Sequence, residues 1–276
     1  MYKIANFVIV GSSPLLAFLY ISIINKQINM SYSPLEQFEI TPIFSFLIPA
    51  KIAFTNSSFF LLITIFVTLA FFIIILSNST VVPNRWQSIT EMTYEFVQGM
   101  LYEALQERGN DFFPIIFTTF VFVFACNILG MVPYTFTVTS HIIFTFSLGM
   151  IIFLGLNIIG LRKHGLHFFS LFLPPGAPLA LALLLVPIEL ISYVFRVIAL
   201  SVRLFANMMA GHTLLKILAT FAWKMLTIGG IFLIIQLFPL AVIIAITGLE
   251  LAIAFLQAYV WTTLTCLYLS DALNLH

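Results

Sequence analysis

Residues 201–216 read SVRLFANMMAGHTLLK, and they place the charged side chain of Arg203 inside a long apolar segment. Leucine, isoleucine and phenylalanine flank this arginine on both sides. A charge at the centre of a bilayer costs from about 3 to more than about 10 kcal/mol, so such groups usually line a pathway or pair with one another. The segment therefore indicates a membrane protein that uses a charge at membrane depth.

The whole chain has the composition of an integral membrane protein. Of its 276 residues, 62% are hydrophobic and 8% are charged, whereas about 25% of the residues of a soluble domain are charged. The net charge of +1 gives no reason to expect a nucleic acid partner. The sequence contains no P-loop, HExxH or CxxC motif, so we expect no cofactor and no metal. Cys126 and Cys266 lie in apolar stretches and are expected to pack rather than react.

The first half of the chain predicts several transmembrane helices and one helix of another kind. Residues 57–76 are uncharged and long enough to cross a bilayer once, and 112–130 and 140–161 are further spans. Residues 85–110 instead alternate apolar and acidic positions at helical spacing, which is typical of an amphipathic helix on the membrane surface. Residues 1–32 form either a removable leader or an extra anchor, ahead of a single membrane domain over 33–276.

The second half predicts two unusually long helices, residues 177–224 and 228–271. At about 1.5 Å per residue they would measure roughly 72 Å and 66 Å, against a hydrocarbon core of about 30 Å. Crossing twice would need a reversal, and the isolated prolines and glycines inside them form no turn cluster. We therefore expect an all-α integral membrane protein whose last two helices, joined at Gly229–Gly230, tilt steeply and lean on a large curved partner.

Folding these two helices back on each other brings their ionisable and amide residues together. The pairs formed are Glu189 with Asp271, Arg203 with Gln257, and His212 with Glu250. Histidine and glutamate can titrate near neutral pH in a suitable environment, whereas arginine keeps its proton. A fixed cation between two titratable clusters admits protons to each cluster and opposes direct passage, so the layout predicts a proton path in two halves.

Plainer interpretations remain open for several of these charges. Arg203 could form a structural ion pair within the membrane, and Arg196 could pair with Glu189. Lys216 and Lys224 are typical of side chains that anchor a helix at the interface. His164 and His167 are expected in a solvated basic loop rather than as metal or haem ligands.

Longer motifs resemble a known family. The stretches LSVRLFANMMAGH (200–212), GLELAIAFLQAYVWTTLTCLYLSDALNLH (248–276) and VPNRWQSITEMTYEFV (82–97) are similar to the proton-channel subunit of F-type ATP synthase, subunit a, in its mitochondrial form. The resemblance runs from about Ser33 to His276. It implies a multi-pass protein of the mitochondrial inner membrane with no catalytic chemistry of its own. Its partners would be the ring of c subunits, the peripheral stalk and other membrane subunits, together with lipid and protons.

The resemblance also implies roles for individual residues. Arg203 would face the acidic residue of each c subunit, and the ring would be the curved partner of the long helices. The half-channel on the intermembrane side would use Asn207, His212, Glu250 and Gln257. The half-channel on the matrix side would use Glu189 and Asp271.

Two other functions remain alternatives at this stage. A secondary ion-coupled transporter usually carries an internal repeat, and the hydropathy pattern of this chain shows none. A haem-bearing subunit of a respiratory complex needs axial histidines inside its spans, and His212 alone lies clearly at membrane depth.

Overall fold

The computed structural model describes residues 33–45, 53–77, 79–132, 135–165, 167–168, 179–228 and 232–273. The chain divides into two compact units, Met1–Gln37 and Phe38–His276. Of the first unit only residues 33–37 are described, and they begin a 3-10 helix, Pro34–Phe38. The leader or anchor expected over 1–32 and the glycine pair at 229–230 lie outside the described residues.

The described part of the second unit is mainly helical and has a small antiparallel ribbon near its beginning. Strand β1, Pro42–Ser45, pairs with β2, Ala53–Thr55. Asn56 ties the ribbon to the first helix, because its side chain donates to the carbonyl of Glu39 at 3.0 Å and accepts from the amide of Thr41 at 3.3 Å. The helices follow in the order α1 Asn56–Ser77, α2 Arg85–Leu105, α3 Phe113–Gly130, α4 Ile142–His164, α5 Leu179–Ile228, α6 Phe232–Ile235 and α7 Leu237–Leu273.

Five segments of the described chain are long and apolar enough to cross a membrane. They are Asn56–Ser77, Gly109–Gly130, Ile142–His164, Leu184–Thr227 and Leu237–Leu273. The amphipathic helix α2 is not one of them. The expectation of an all-α, multi-pass integral membrane protein is therefore confirmed.

Two predicted helix boundaries are wrong, each for a local reason. The helix expected over 85–110 ends at Leu105, because Gln106 adopts φ 53° and a 3-10 helix, Gln106–Phe112, follows it. The helix expected over 228–271 begins its long part at Leu237, after the short α6 and a turn at Gln236. Pro239 then lies in the first turn of α7, where its missing N–H breaks no helical hydrogen bond.

Helix α7 lies at the centre of the second unit and contacts α2, α3, α4 and α5. Its side chains Trp261, Cys266 and Leu269 are each at most 1% exposed. They pack in one apolar core with residues such as Leu101 of α2 and Phe120 of α3. Helix α2 adds only residues of its second half to this core, and its three glutamates, Glu91, Glu95 and Glu103, are exposed. Because α7 is packed on four helices, the positions of the polar residues along it are fixed by that packing.

Glycines let α4 approach its neighbours closely. A Cβ atom on Gly149 would lie 2.6 Å from Oγ of Ser201 and 3.2 Å from the side chain of Val197, both on α5. A Cβ atom on Gly160 would lie 2.8 Å from Cδ2 of Phe168. Real Cβ atoms do not approach other atoms this closely. The packing of α4 on α5 therefore depends on Gly149 having no side chain, and the contact of α4 with Phe168 depends on Gly160 having none.

Candidate functional site

Arg203 lies in the middle of α5 with its side chain exposed. The helix buries the neighbouring residues Ser201 and Leu204, which are both 0% exposed, and so turns Arg203 away from the core. Within the described ranges, the guanidinium forms no ion pair. The structure therefore does not support the alternative of a structural ion pair for Arg203 within this chain.

Asn207 follows Arg203 by one helical turn and is also exposed. Residues four apart on a helix lie on the same face. The two side chains of the motif RLFAN therefore share one outward surface of α5, as its spacing predicts. The sequence predicts Gln257 opposite Arg203. In the structure Gln257 is only 7% exposed, and the two side chains form no hydrogen bond with each other.

The carboxylate of Glu250, on α7, lies directly against Gly211 of α5. A Cβ atom placed on Gly211 would be 2.8 Å from Cδ of Glu250, and it would approach Oε1 more closely still. Glu250 is 7% exposed, and neither of its carboxylate oxygens has a hydrogen-bond partner among the described residues. Folding the two long helices together does bring Glu250 to the turn that carries His212.

His212 completes this cluster on α5, one residue beyond the glycine. Its Nε2 atom is buried and pairs with no described protein group. Buried polar atoms are nearly always hydrogen-bonded, so three unpartnered ones at a single crossing of two helices need an explanation. A cluster that takes up and passes on protons is one arrangement that uses such atoms.

Gln257 and an unpredicted amide extend this cluster along α7. Residues 250, 254 and 257 share one face of the helix by their spacing. The carbonyl of Ala254 accepts a hydrogen bond of 3.3 Å from Nδ2 of Asn127, a residue of α3 that is 0% exposed. Asn127 was not among the predicted residues, although a polar amide within the apolar sequence of α3 could have indicated it.

The second cluster is built around Arg196 of α5. Its guanidinium lies 3.7 Å from Oε1 of Glu189 and 3.8 Å from Oδ2 of Asp271, so it bridges two helices. Glu189 and Asp271, which the sequence predicts as a pair, are thus linked by the guanidinium of Arg196 that lies between them. The three side chains are 38–48% exposed, and the centre of the Tyr268 ring lies 5.8 Å from the guanidinium carbon.

A hydrogen bond between α5 and α4 lies within one helical turn of Arg196. Tyr193 donates its hydroxyl to Oδ1 of Asn157 at 3.0 Å. Neither residue was predicted, because tyrosine and asparagine in apolar helices carry no charge that marks them. They extend the polar surface of the second cluster toward α4.

Two other histidines of the described chain, His141 and His164, have structural surroundings. His164 makes a 3.2 Å hydrogen bond with the carbonyl of Leu273, beside a 3.3 Å bond from Lys163 to the same oxygen. His141 stacks on Phe136 at 5.2 Å, and burial lowers the pKa of His141. Within the described part of the chain, no three histidine, cysteine or acidic residues gather into a group that could hold a metal ion.

The two clusters are separated along the long helices: Asp271 lies near the end of α7, whereas Glu250 lies near its middle. Glu250 and Asp271 are 21 positions apart on α7, which corresponds to about 31 Å of helical rise. Arg203 lies between the clusters in the sequence of α5. A proton cannot pass between groups this far apart in one transfer, so each cluster can serve one side of the membrane.

Comparison with known proteins gives consistent matches over most of the chain. The family model of the ATP synthase A chain matches residues 58–270. The chain is 53% identical over 245 residues to ATP synthase subunit a of Chondrus crispus, covering 88% of this chain and 97% of that protein. It is 52% identical to the subunit of Marchantia polymorpha, covering 90% and 100%. It is 49% identical to the subunit of Rhodospirillum rubrum, covering 89% and 100%.

Proposed function

The chain belongs to the ATP synthase A chain family, and on that premise we propose that it is the stator subunit that supplies protons to a rotating ring of c subunits. Two offset half-channels would open to opposite sides of the membrane, with Arg203 between them. The family decides against the two alternatives, a secondary transporter and a haem-bearing subunit. The chemistry of phosphorylation would take place in other subunits of the complex.

The exposed and unpaired guanidinium of Arg203 is the observation that carries this proposal. A permanent cation at membrane depth is costly unless an anion meets it, and the described part of this chain offers it none. A carboxylate of the ring would be that anion. Because arginine holds its proton, Arg203 would keep the bare carboxylate in place without passing the proton on.

We assign the intermembrane half-channel to Asn207, His212, Glu250 and Gln257. The buried Glu250 carboxylate beside Gly211 and the unpartnered Nε2 of His212 support this assignment, since both can exchange protons. A proton that arrives there would neutralise a ring carboxylate and allow it to move into the lipid. Each charge that crosses the membrane contributes about 2.3 kcal/mol per 100 mV of potential.

We assign the matrix half-channel to Glu189 and Asp271, with Arg196 between them. The guanidinium of Arg196 lies within 4 Å of both carboxylates and would hold them together at the mouth of this half-channel. We further propose the mitochondrial inner membrane as the location. The support is the order of histidine on the first long helix and glutamate on the second, which resembles the mitochondrial form.

The test is ATP synthesis by assembled complexes that carry Arg203→Ala or Arg203→Lys. We expect Arg203→Ala to abolish proton-driven synthesis and to let protons leak, because the barrier between the half-channels is lost. Arg203→Lys keeps the charge but loses the planar guanidinium, and it should be severely impaired. Lys224→Ala, an exposed cation on the same helix, serves as the matched control and should synthesise normally. Normal synthesis by an assembled Arg203→Ala complex would refute the proposal.

A further inference from the structure

An apolar groove separates α3 from α4 on the surface of the molecule. Both helices pack on α7, but they make few contacts with each other. The groove between them has a volume of about 500 Å³, with Ile115 and Phe122 on one wall, Ile151 and Ile159 on the other, and Thr265 of α7 among its lining residues. The groove lies within two of the candidate membrane spans.

The surface of this groove is more apolar than its sequence suggests. Thr118 and Thr119 line it, but each hydroxyl donates to a carbonyl of its own helix, at 2.8 Å to Pro114 and 2.7 Å to Ile115. Gly155 lines the opposite wall, and a Cβ atom there would meet no described atom within 4 Å. The groove therefore offers no free polar group and suits a hydrocarbon.

The length of the groove identifies the kind of hydrocarbon. Its wall on α4 runs from Leu148 to Ile159, about 16 Å of helical rise and about half of a hydrocarbon core. A transmembrane helix of a partner is 10–12 Å wide and would need a groove across the whole bilayer. One acyl chain of a single leaflet fits instead.

Basic side chains lie at one end of the groove. The groove-lining residues of α4 recur at helical spacing as far as Ile159, and three and four residues later the same face carries Arg162 and Lys163. Both are exposed, and Arg162 forms no ion pair in the described ranges. Lys163 gives one donor to the carbonyl of Leu273 and has three. The acidic residues at this end, Glu107 and Asp111, are exposed on the segment that precedes α3, so the positive charge lies on the α4 side of the groove.

We propose that the groove between α3 and α4 binds an anionic phospholipid, with its acyl chain along the groove and its phosphate at Arg162 and Lys163. Pockets that combine basic residues at the interface with apolar walls between helices suit such headgroups. The proposal does not depend on the path of protons through the chain. It also gives a role to the basic last turn of α4, which the proposed function leaves unused.

Photo-cross-linking in the assembled complex tests the proposal. Ile115, which is half exposed on the wall of the groove, is replaced by benzoylphenylalanine in vesicles of equal parts phosphatidylglycerol and phosphatidylcholine. Mass spectrometry then counts the adducts of each lipid. We expect phosphatidylglycerol adducts to exceed phosphatidylcholine adducts by at least about fivefold, the preference that one interfacial basic residue confers.

Two pairs of variants separate a specific site from general attraction to the membrane. Arg162→Gln with Lys163→Gln should remove the preference for phosphatidylglycerol, whereas Lys224→Gln, an exposed cation elsewhere, should keep it. Gly155→Phe should fill the groove and reduce the yield of both adducts, whereas Leu154→Phe, on the exposed surface beside it, should not. Equal yields of the two lipids in the unchanged groove, or an adduct with a polypeptide, would overturn the proposal.

Discussion

The carboxylate of Glu250 occupies space that exists only because residue 211 is glycine. Any side chain at that position would overlap the carboxylate at Oε1 and Cδ. Helix α5 is continuous at Gly211. The residue acts through its missing side chain, which lets an acid from another helix approach the backbone of α5.

Gly211→Ala should therefore displace Glu250 and slow proton transport. Overpacking of this kind costs about 1–3 kcal/mol, so we expect a loss of proton flux in assembled complexes together with a small loss of stability. Gly155→Ala, which meets open space, is the control and should be neutral. Adding Glu250→Asp shortens the acid by one methylene and should recover part of the flux of Gly211→Ala. If the double variant is slower than both single variants, the steric explanation is wrong.

Exchanging His212 and Glu250 tests whether they serve one half-channel. Glu250→Gln removes the acid and should slow proton uptake strongly. The double change His212→Glu with Glu250→His keeps one titratable residue of each kind at the crossing, and it should restore part of the flux. The measurement is proton pumping in vesicles over a range of pH around neutrality. Strictly additive losses would mean that the two residues act independently.

The sequence predicts Glu250 near the turn of α5 that carries His212, and the structure places it there. The sequence predicts neither the bridge through Arg196 nor the separation of the exposed Arg203 from the buried Gln257. His212 and Glu250 lie at similar distances from the glycine pair between the long helices, so a simple alignment brings them together. The bridge through Arg196 depends on side-chain reach and on the rotation of α5 about its axis. Periodicity alone fixes neither the reach of a side chain nor the rotation of α5 to better than one turn. The sequence therefore offers Glu189 as a partner for Arg196 but does not indicate Asp271.

At the scale of the elements, the packing of α4 on α5 depends on Gly149. Gly149→Ala would bring Cβ to 2.6 Å from Oγ of Ser201, whose side chain is fully buried and cannot move aside. We expect a loss of about 1–3 kcal/mol in stability, seen as earlier thermal dissociation of the purified complex. Gly155→Ala on the same helix should gain slightly from helix propensity instead. Equal behaviour of the two variants would contradict the close approach.

Some helix boundaries can be predicted from nearby residues in the sequence, and others cannot. Pro239 in the sequence could have predicted the late start of α7, since proline favours the first turn of a helix. The end of α2 at Leu105 had no such signal, because Gln106 is an uncommon residue at positive φ. Apolar periodicity finds the existence of a helix more reliably than its last turn.

At the scale of the whole molecule, a partner must cover the outward face of α5. Asn207→Cys should form disulfide cross-links to cysteines placed near the acidic residue of the ring, because Asn207 is exposed on the face that carries Arg203. Ser201→Cys, on the buried face of the same helix, should not cross-link. The measurement is cross-linked product after mild oxidation of membranes. Efficient linkage from position 201, or none from position 207, would mean that another face meets the ring.

The steep tilt of the long helices and their contact with the ring stay predictions. A single chain fixes the lengths of α5 and α7, and their lengths exceed the thickness of a bilayer. The angle to the membrane depends on the shape of the partner against which they lean, and that shape is encoded in another sequence. The chain itself therefore predicts its helices and their pairing better than its orientation.

The central position of α7 has a consequence for biosynthesis. A ribosome adds about 5–20 residues per second, so α2 to α5 are synthesised several seconds before the helix on which they pack. Until then Leu101 and Phe120 face a space that Trp261 and Leu269 will fill. The nascent protein must persist as loosely associated segments, and insertases or chaperones that shield them would act in that interval. A message truncated before α7 should yield a product that quality-control proteases remove.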